Sequence, residues 1–491
     1  MREDSGPSDP PVALASGTGT VTDVPVALSR MPRARRALDA RVTVGPVAGR
    51  IAVGTLIVAT FAIVAAASSG PSILVPRSAW VFPNWEAGPL HYLTPRLINN
   101  PQTLGLVFSG VLVVMLVAYV AVLAALRTLS MRTVAVVVVL LHVILLLSPP
   151  MQLTDLFNYV GYARLGALHH LNPYTHVIRQ GLFDPVFSFT SWHNLRSPYG
   201  WLFTALTYPL GLVSLPIAYW TLKIVTVLLS AGFVLLVWDL ARRLGRDARF
   251  AVAFVALNPI FLIYEVGAFH NDFFMLMPAL GAIRLVLARR PRTAGAVLML
   301  AVAVKFTVIL ILPFLLLAAH TRRRQKDVLV GCVLGAVPLA TLILVMFGPV
   351  IPNLAQQSEV LTAFSIPNVF GLLFHLGGAT PWLLRIADVG VVAVIAHQFL
   401  RNRDWLSGAG WSTLALIASL GWLTPWYVVW LLPFAALAAN RRLRATALIL
   451  TAFLLLTFVP VTTTYMKKHN INLLDTPAGQ AAATLQNQLS Q

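Results

Sequence analysis

Cysteine is almost missing from this 491-residue chain: Cys332 stands alone, inside an apolar run. A disulfide framework is thereby excluded, and no thiol chemistry is expected. Charge is scarce as well. Charged residues make up 11% of the chain, hydrophobic residues 58%, and the mean hydropathy is +0.78. No soluble domain has this composition; a polytopic, all-α membrane protein does. Acidic residues are the scarcest charges, 17 against 36 Lys and Arg, for a formal net charge of +19. In a soluble protein that excess would suggest nucleic acid. Here the basic residues sit in short loops between apolar runs, which is the positive-inside pattern, so no nucleic-acid partner is expected. Residues 1–40 are rich in Pro, Ser, Gly and Ala, and residues 1–45 read as a disordered cytoplasmic tail, with Arg33, Arg35 and Arg36 near the membrane surface. No cleavable signal peptide is expected, because the first apolar run begins near residue 51.

Candidate spans fall at roughly 50–68, 102–126, 132–149, 216–241, 250–268, 273–288, 293–304, 306–319, 328–347, 381–400, 406–423, 428–439 and 445–464. This gives about thirteen transmembrane helices in a membrane domain over 46–465. Arg127 and Arg132, the cluster Arg242–Arg249, and Arg289, Arg290 and Arg292 occupy alternate loops. So do Arg322–Lys326, Arg401 with Arg403, and Arg441–Arg444. Keeping all of them in the cytoplasm requires two passes between Arg292 and Arg322, so the apolar segment there is split at Lys305 into two short helices. Short, interrupted helices at membrane depth tend to line a cavity. The N-terminus is then cytoplasmic. Segments 69–101, 150–215 and 348–380 and a C-terminal tail, 466–491, face outward. Within 150–215, Leu156–Leu168 and Tyr199–Leu210 read as amphipathic helices on the membrane surface.

Against this background an acidic residue just past a span stands out. Asp155 lies in Met151-Gln-Leu-Thr-Asp-Leu-Phe-Asn-Tyr159, after the apolar run Thr133–Leu147 and the break Ser148-Pro149-Pro150. It suits either a general base facing a polar substrate or a simple cap for the following helix. Lys223, Glu265, His270, Asp272, Lys305, Arg385 and Asp388 fall near the outer ends of spans. Singly, each fits a structural ion pair or a snorkelling side chain; together they indicate one hydrated site open to the outside. Trp426 and Tyr427 suit either an interfacial aromatic belt or stacking on a ring-shaped ligand.

The order of the motifs carries a resemblance. Thr-Asp155-Leu-Phe-Asn-Tyr159 leads to Tyr162-Ala-Arg164, Asn-Pro-Tyr174 and Ser-Pro-Tyr199-Gly. His270-Asn271-Asp272, the Lys305 break and Thr-Pro-Trp426-Tyr427 follow. Over about residues 50–465 the chain resembles the GT-C superfamily of integral membrane glycosyltransferases, and within it the actinobacterial polyprenyl-phosphate-mannose-dependent α-1,6-mannosyltransferases of lipomannan synthesis. The resemblance implies an enzyme of the plasma membrane, with a polyprenyl-phosphate sugar as donor and a lipid-linked glycan as acceptor. Its catalytic base, an aspartate early in an extracytoplasmic loop, maps onto Asp155. Many GT-C enzymes carry this residue after the first span; here it follows the third, so the carry-over takes extra N-terminal spans.

The chemistry that would follow is a single inverting displacement. A sugar on polyprenyl phosphate brings its own leaving group, whose charge needs cationic stabilisation; Lys305, with Arg164 or His270, is placed to supply it. Tyr159, Tyr199, Asn271, Asp272, Trp426 and Tyr427 complete the expected substrate-binding set. No cofactor and no obligatory metal are implied, a divalent cation shared by Asp155 and Asp272 being the minor alternative. No Gly-rich phosphate loop or large cytoplasmic domain points to a nucleotide-sugar donor. Two rival readings stay open: a polyprenyl-phosphate arabinofuranose donor, and a lipid-sugar flippase or secondary transporter. The long outer segment and the lack of a clear inverted repeat favour an enzyme over a transporter.

Overall fold

Apolar runs bounded by helix-start signals become helices because hydrocarbon leaves the backbone no other hydrogen-bond partner. The computed structural model describes residues 45–75, 82–152, 155–352, 359–401 and 404–490. The tail expected over 1–45 lies outside these residues except for residue 45, as do Arg33, Arg35, Arg36, Thr154 and Arg403.

The first helices are α1 (Pro46–Ser68), α2 (Pro101–Ala125), α3 (Met131–Leu146), α4 (Asp155–Ala167), α5 (Trp201–Gly211) and α6 (Leu215–Arg243). Then come α7 (Ala248–Ala256), α8 (Asp272–Leu287), α9 (Pro291–Val304), α10 (Leu312–Ala318), α11 (Arg322–Phe347) and α12 (Ile366–Leu373). The chain continues through α13 (Pro381–Arg401), α14 (Trp405–Ser419), α15 (Val428–Leu437), α16 (Arg441–Phe458), α17 (Pro460–Lys468) and α18 (Pro477–Ser490). Proline opens α1, α2 and α9, where its missing N–H is harmless. The side chains of Asn100, Ser130, Asp247, Thr321 and Asn440 cap α2, α3, α7, α11 and α16 by accepting first-turn N–H groups.

Five of the described helices are long and apolar enough to cross a membrane: α1, α2 with its following turn, α6, α11 and α13. The pair α16–α17, bent by 56°, makes a sixth if it counts as one span. The chain is thus a polytopic, all-helical membrane protein. The expected pass over 250–268 is interrupted. Helix α7 gives way at Asn258-Pro259, where the fully buried Asn258 accepts from the Ile260 and Phe261 N–H groups at 2.9 and 3.4 Å and donates to Thr451 Oγ1 at 3.1 Å. The chain resumes as a buried π-helical turn, Phe261–Val266. The break at Lys305 is present: α9 stops at Val304, and Lys305 is extended at φ −151° and ψ 111°.

The surface-helix reading of residues 156–168 needs correction. Leu156 to Ala163 and Leu165 are all buried, so α4 is enclosed by the bundle and its polar side chains point into protein. Alternating aromatic and polar residues here mark a helix with partners on most sides. Below α4, Trp85, Phe157, Phe189 and Tyr219 pack ring on ring, with Phe157 and Tyr219 stacked at 5.7 Å. The segment set apart as a C-terminal tail folds back as α18. Asn194 donates from its backbone to Leu489 O at 3.0 Å and from its amide to Gln488 O at 2.9 Å. Leu489 is buried with Leu195 and Val360, against Trp192 and Trp422.

Candidate active site

Asp155 is the first residue of α4, where the exposed N–H groups and the helix dipole favour a carboxylate. Its carboxyl is recessed, 18% exposed, and Oδ2 lies 3.4 Å from His270 Nδ1. Asn158, one turn on, donates from Nδ2 to Asp155 Oδ1 at 3.4 Å. Burial is the main reason its pKa is pushed up to about 6; Asp272 adds to the rise, while Asn158, Lys305 and Tyr199 pull against it. Asp155 is therefore a carboxylate that takes up a proton just below neutrality, the range useful for a base.

The second wall comes from the turn Gly267–Asn271. Phe269 takes a left-handed φ of +56°, strained for a bulky side chain, and sets His270 and Asn271 at the head of α8. The His270 ring stacks on Trp426 at 4.1 Å and 19°. Its burial is the dominant cause of a pKa held down to about 3, so the imidazole is neutral. His270 Nε2, Asn271 Nδ2 and both Glu265 carboxyl oxygens are buried without a protein partner. Four unpartnered polar atoms on three neighbouring side chains are more than a closed core tolerates. The Asn271 backbone N–H donates to Tyr159 Oη at 3.3 Å, tying this turn to α4.

Lys305 and Asp272 form the third feature. Lys305 Nζ lies 2.5 Å from Asp272 Oδ1, which also accepts from Trp430 Nε1 at 2.8 Å. The ammonium sits 4.8 Å from the Trp430 ring centroid and 5.8 Å from that of Tyr427. Gly200 brings Tyr199 to the same place, because any Cβ there would collide with the carbonyl oxygen of Val304, the residue before Lys305. Tyr199 in turn packs edge-on against Tyr159 and Tyr162, with centroids at 4.7 and 5.8 Å.

The structure thus joins Asp155, Tyr159, Tyr199, His270, Asn271, Asp272, Lys305, Trp426 and Tyr427, and it leaves Arg164 out. Arg164 Nε donates to both Asp184 carboxyl oxygens at 2.8 and 2.9 Å, and Nη1 donates to Val213 O at 3.1 Å. Its charge is used to fasten the loop after α4, with His169 on the same carboxylate at 2.8 Å. His270 is neutral, so of the three cations expected at the site only Lys305 remains, and it is already paired. Trp430 was missed. In sequence it reads as one more apolar-run aromatic, and its one clue is its place a helical turn beyond Trp426 and Tyr427. Asp272 is held by Lys305 and Trp430, and among the described residues no group of three His, Cys, Asp or Glu side chains is placed to hold a metal ion. Arg164→Ala is expected to lower stability by about 3 kcal/mol, since it leaves the buried Asp184 carboxylate short of its main partner. Turnover per folded molecule should stay the same, as thermal melts paired with active-site-normalised rates will read.

A recessed carboxylate, an ion-paired lysine and stacking rings at the heads of apolar helices define a membrane protein with a built polar site. Residues 52–321 match the family model described as alpha-(1->6)-mannopyranosyltransferase, N-terminal domain, and residues 361–484 match the MptB C-terminal domain. The chain belongs to the alpha-(1->6)-mannopyranosyltransferase family, and the resemblance drawn from the motifs holds at that level. Alpha-(1->6)-mannopyranosyltransferase A of Mycobacterium tuberculosis is 29% identical over 360 residues, 64% of this chain and 67% of that protein. A probable alpha-(1->6)-mannopyranosyltransferase of Mycolicibacterium smegmatis is 25% identical over 62% of this chain and 65% of its own length. The chain thus spans about two thirds of the length of each of these two relatives. No solved structure matches it.

Proposed function

We propose that the chain transfers α-1,6-linked mannose from polyprenyl-phosphate mannose to a lipid-linked mannan of the lipomannan or lipoarabinomannan type, at the outer face of the plasma membrane. The observation that carries the reading is Asp155 beside His270 among unpartnered polar atoms, with Trp426, Tyr427 and Tyr199 around them. In the proposed step, ionised Asp155 takes the proton of an acceptor hydroxyl as that oxygen attacks the anomeric carbon. The bond from that carbon to the phosphate oxygen breaks, and polyprenyl phosphate leaves with the electron pair. One displacement inverts the centre, so a β-linked donor yields an α-linked product. Lys305 meets the developing phosphate charge, sharing its ammonium with Asp272. Asn271 offers amide N–H groups, His270 a ring nitrogen, and the aromatic rings a face for the sugar.

The proposed topology has thirteen passes, with the N-terminus in the cytoplasm and the segments around Asp155 and His270 outside. The shorter apolar helices Met131–Leu146, Pro291–Val304, Phe306–Ala318 and Pro425–Leu437 would supply passes beyond the long ones. Short passes suit helices that surround a polar site. The direct test of function is transfer of radiolabelled mannose from synthetic polyprenyl-phosphate mannose by purified protein. Transfer of arabinose alone would identify the arabinofuranosyl donor instead, and movement of label across vesicles without transfer would identify a flippase. Topology is tested in a Cys332→Ser background. Ser188→Cys is expected to react with membrane-impermeant maleimide in intact cells, and Arg323→Cys only after lysis; the opposite pattern inverts the topology.

A further inference from the structure

The polar cluster is assembled from two chain segments that meet only in space, the one leading into α4 and the one leading into α8. One side chain touches both. Lys223 of α6 is fully buried. Its Nζ donates to Ser148 O at 2.7 Å, on the approach to Asp155, and to Tyr219 Oη at 3.3 Å. The same nitrogen lies 4.9 Å from the ring centroid of Phe269, the residue before His270, and 4.0 Å from that of Trp220.

A carboxyl, Glu86, lies nearby. It is buried, and burial pushes its carboxyl up to about 8 while Lys223 pulls it down. Tyr219 Oη donates to the Glu86 backbone carbonyl at 2.9 Å, so lysine, tyrosine and glutamate form one block. A lysine nitrogen in such a place is costly unless it is hydrogen-bonded. Both segments it touches also carry strained backbone: Gln152 at φ +69° just ahead of Asp155, and Phe269 at φ +56°. Strain of this kind persists only where the surroundings over-determine it.

We propose that Lys223 is a positioning residue for glycosyl transfer: by holding the Ser148 carbonyl and the Phe269 ring, it fixes Asp155 and His270 relative to each other. The inference rests on Asp155 being the base. The decisive variant is the full-length double mutant Glu86→Gln/Lys223→Met, which removes both buried ionisable groups together and so avoids stranding either. It is expected to fold with near-normal thermal stability and to lose about a hundredfold in kcat, the scale of a misplacement near 1 Å. The KM for synthetic polyprenyl-phosphate mannose should change little. Full turnover, or a loss confined to KM, overturns the inference. Should the double mutant not fold, Tyr219→Phe decides. It keeps both ionisable side chains and is expected to lose about tenfold in kcat, the equivalent of one hydrogen bond; an unchanged kcat overturns the inference. Asp155→Asn is assayed beside them. If it turns over normally, the base assignment fails whatever Lys223 does. If it is inactive while the double mutant is fully active, the positioning role alone fails.

Discussion

Asp155→Asn is expected to abolish mannosyl transfer, by about a hundredfold or more, the scale of a lost acid–base group. The substitution keeps the size of the side chain and a group able to cap α4, so expression and melting temperature should barely move. A pH series separates base from cap. With the Asp155 carboxyl pushed up to about 6, chiefly by burial, the base is present above that pH and lost as pH falls through it. The rate of the unsubstituted enzyme should fall about tenfold per pH unit on the acid side, and the trace left in the Asn variant should not follow that limb. His270, the nearest neighbour of the carboxyl, does not compete for this titration, because burial holds its pKa down to about 3. Near-normal transfer by the Asn variant, with loss of stability in Asp155→Ala, would reduce Asp155 to a cap.

The second large effect concerns Lys305. Alone, Lys305→Met leaves the Asp272 carboxylate, 1% exposed, with Trp430 as its one remaining donor. Breaking a buried pair from one side typically costs about 3–5 kcal/mol. The lower end applies here, because a quarter of the Lys305 side chain meets solvent. The double mutant Lys305→Met/Asp272→Asn removes both charges and should recover most of that stability. If Lys305 meets the donor phosphate, transfer stays at least about a hundredfold down in the recovered double mutant, with the loss visible in donor KM, kcat or both. A stable double mutant with normal transfer would make the pair a structural strut and leave the leaving group to Asn271 and the helix ends.

What was legible in advance, and what was not, divides along a physical line. Ionisable and amide side chains inside apolar runs announce themselves, because hydrocarbon makes them expensive. Asp155, His270-Asn271-Asp272 and the Lys305 break could therefore be read one residue at a time, and the structure draws them together. Their pairings could not be read, because they are decided by packing. Lys305 finds Asp272 across 33 residues, and Arg164 finds Asp184 across 20, taking it out of the site. Desolvation is equally invisible in a linear chain: His270 looks like a cation until its burial makes it neutral. Helix α4 misled for the opposite reason. Its interleaved Tyr, Asn and Arg read as a wet face, yet protein surrounds it and satisfies those groups individually. Apolar periodicity marks where a helix is, and says less about a helix with neighbours on every side.

The contact between Asn194 and Gln488 spans 294 residues of chain. It has a consequence for how the protein comes into being. Tyr162 of α4 donates to Leu195 O at 2.6 Å, and Leu195 is covered by Leu489 of α18. The aromatic wall beside Asp155 therefore leans on a strand of loop whose last support is translated after every other helix described. At about 5–20 residues per second, the ribosome needs roughly 15–60 s to pass from one side of that contact to the other. Through that interval a nascent chain already holds α4 and Asp155, but not the contact that closes over them. The support behind this wall should therefore be acquired late, when α18 docks.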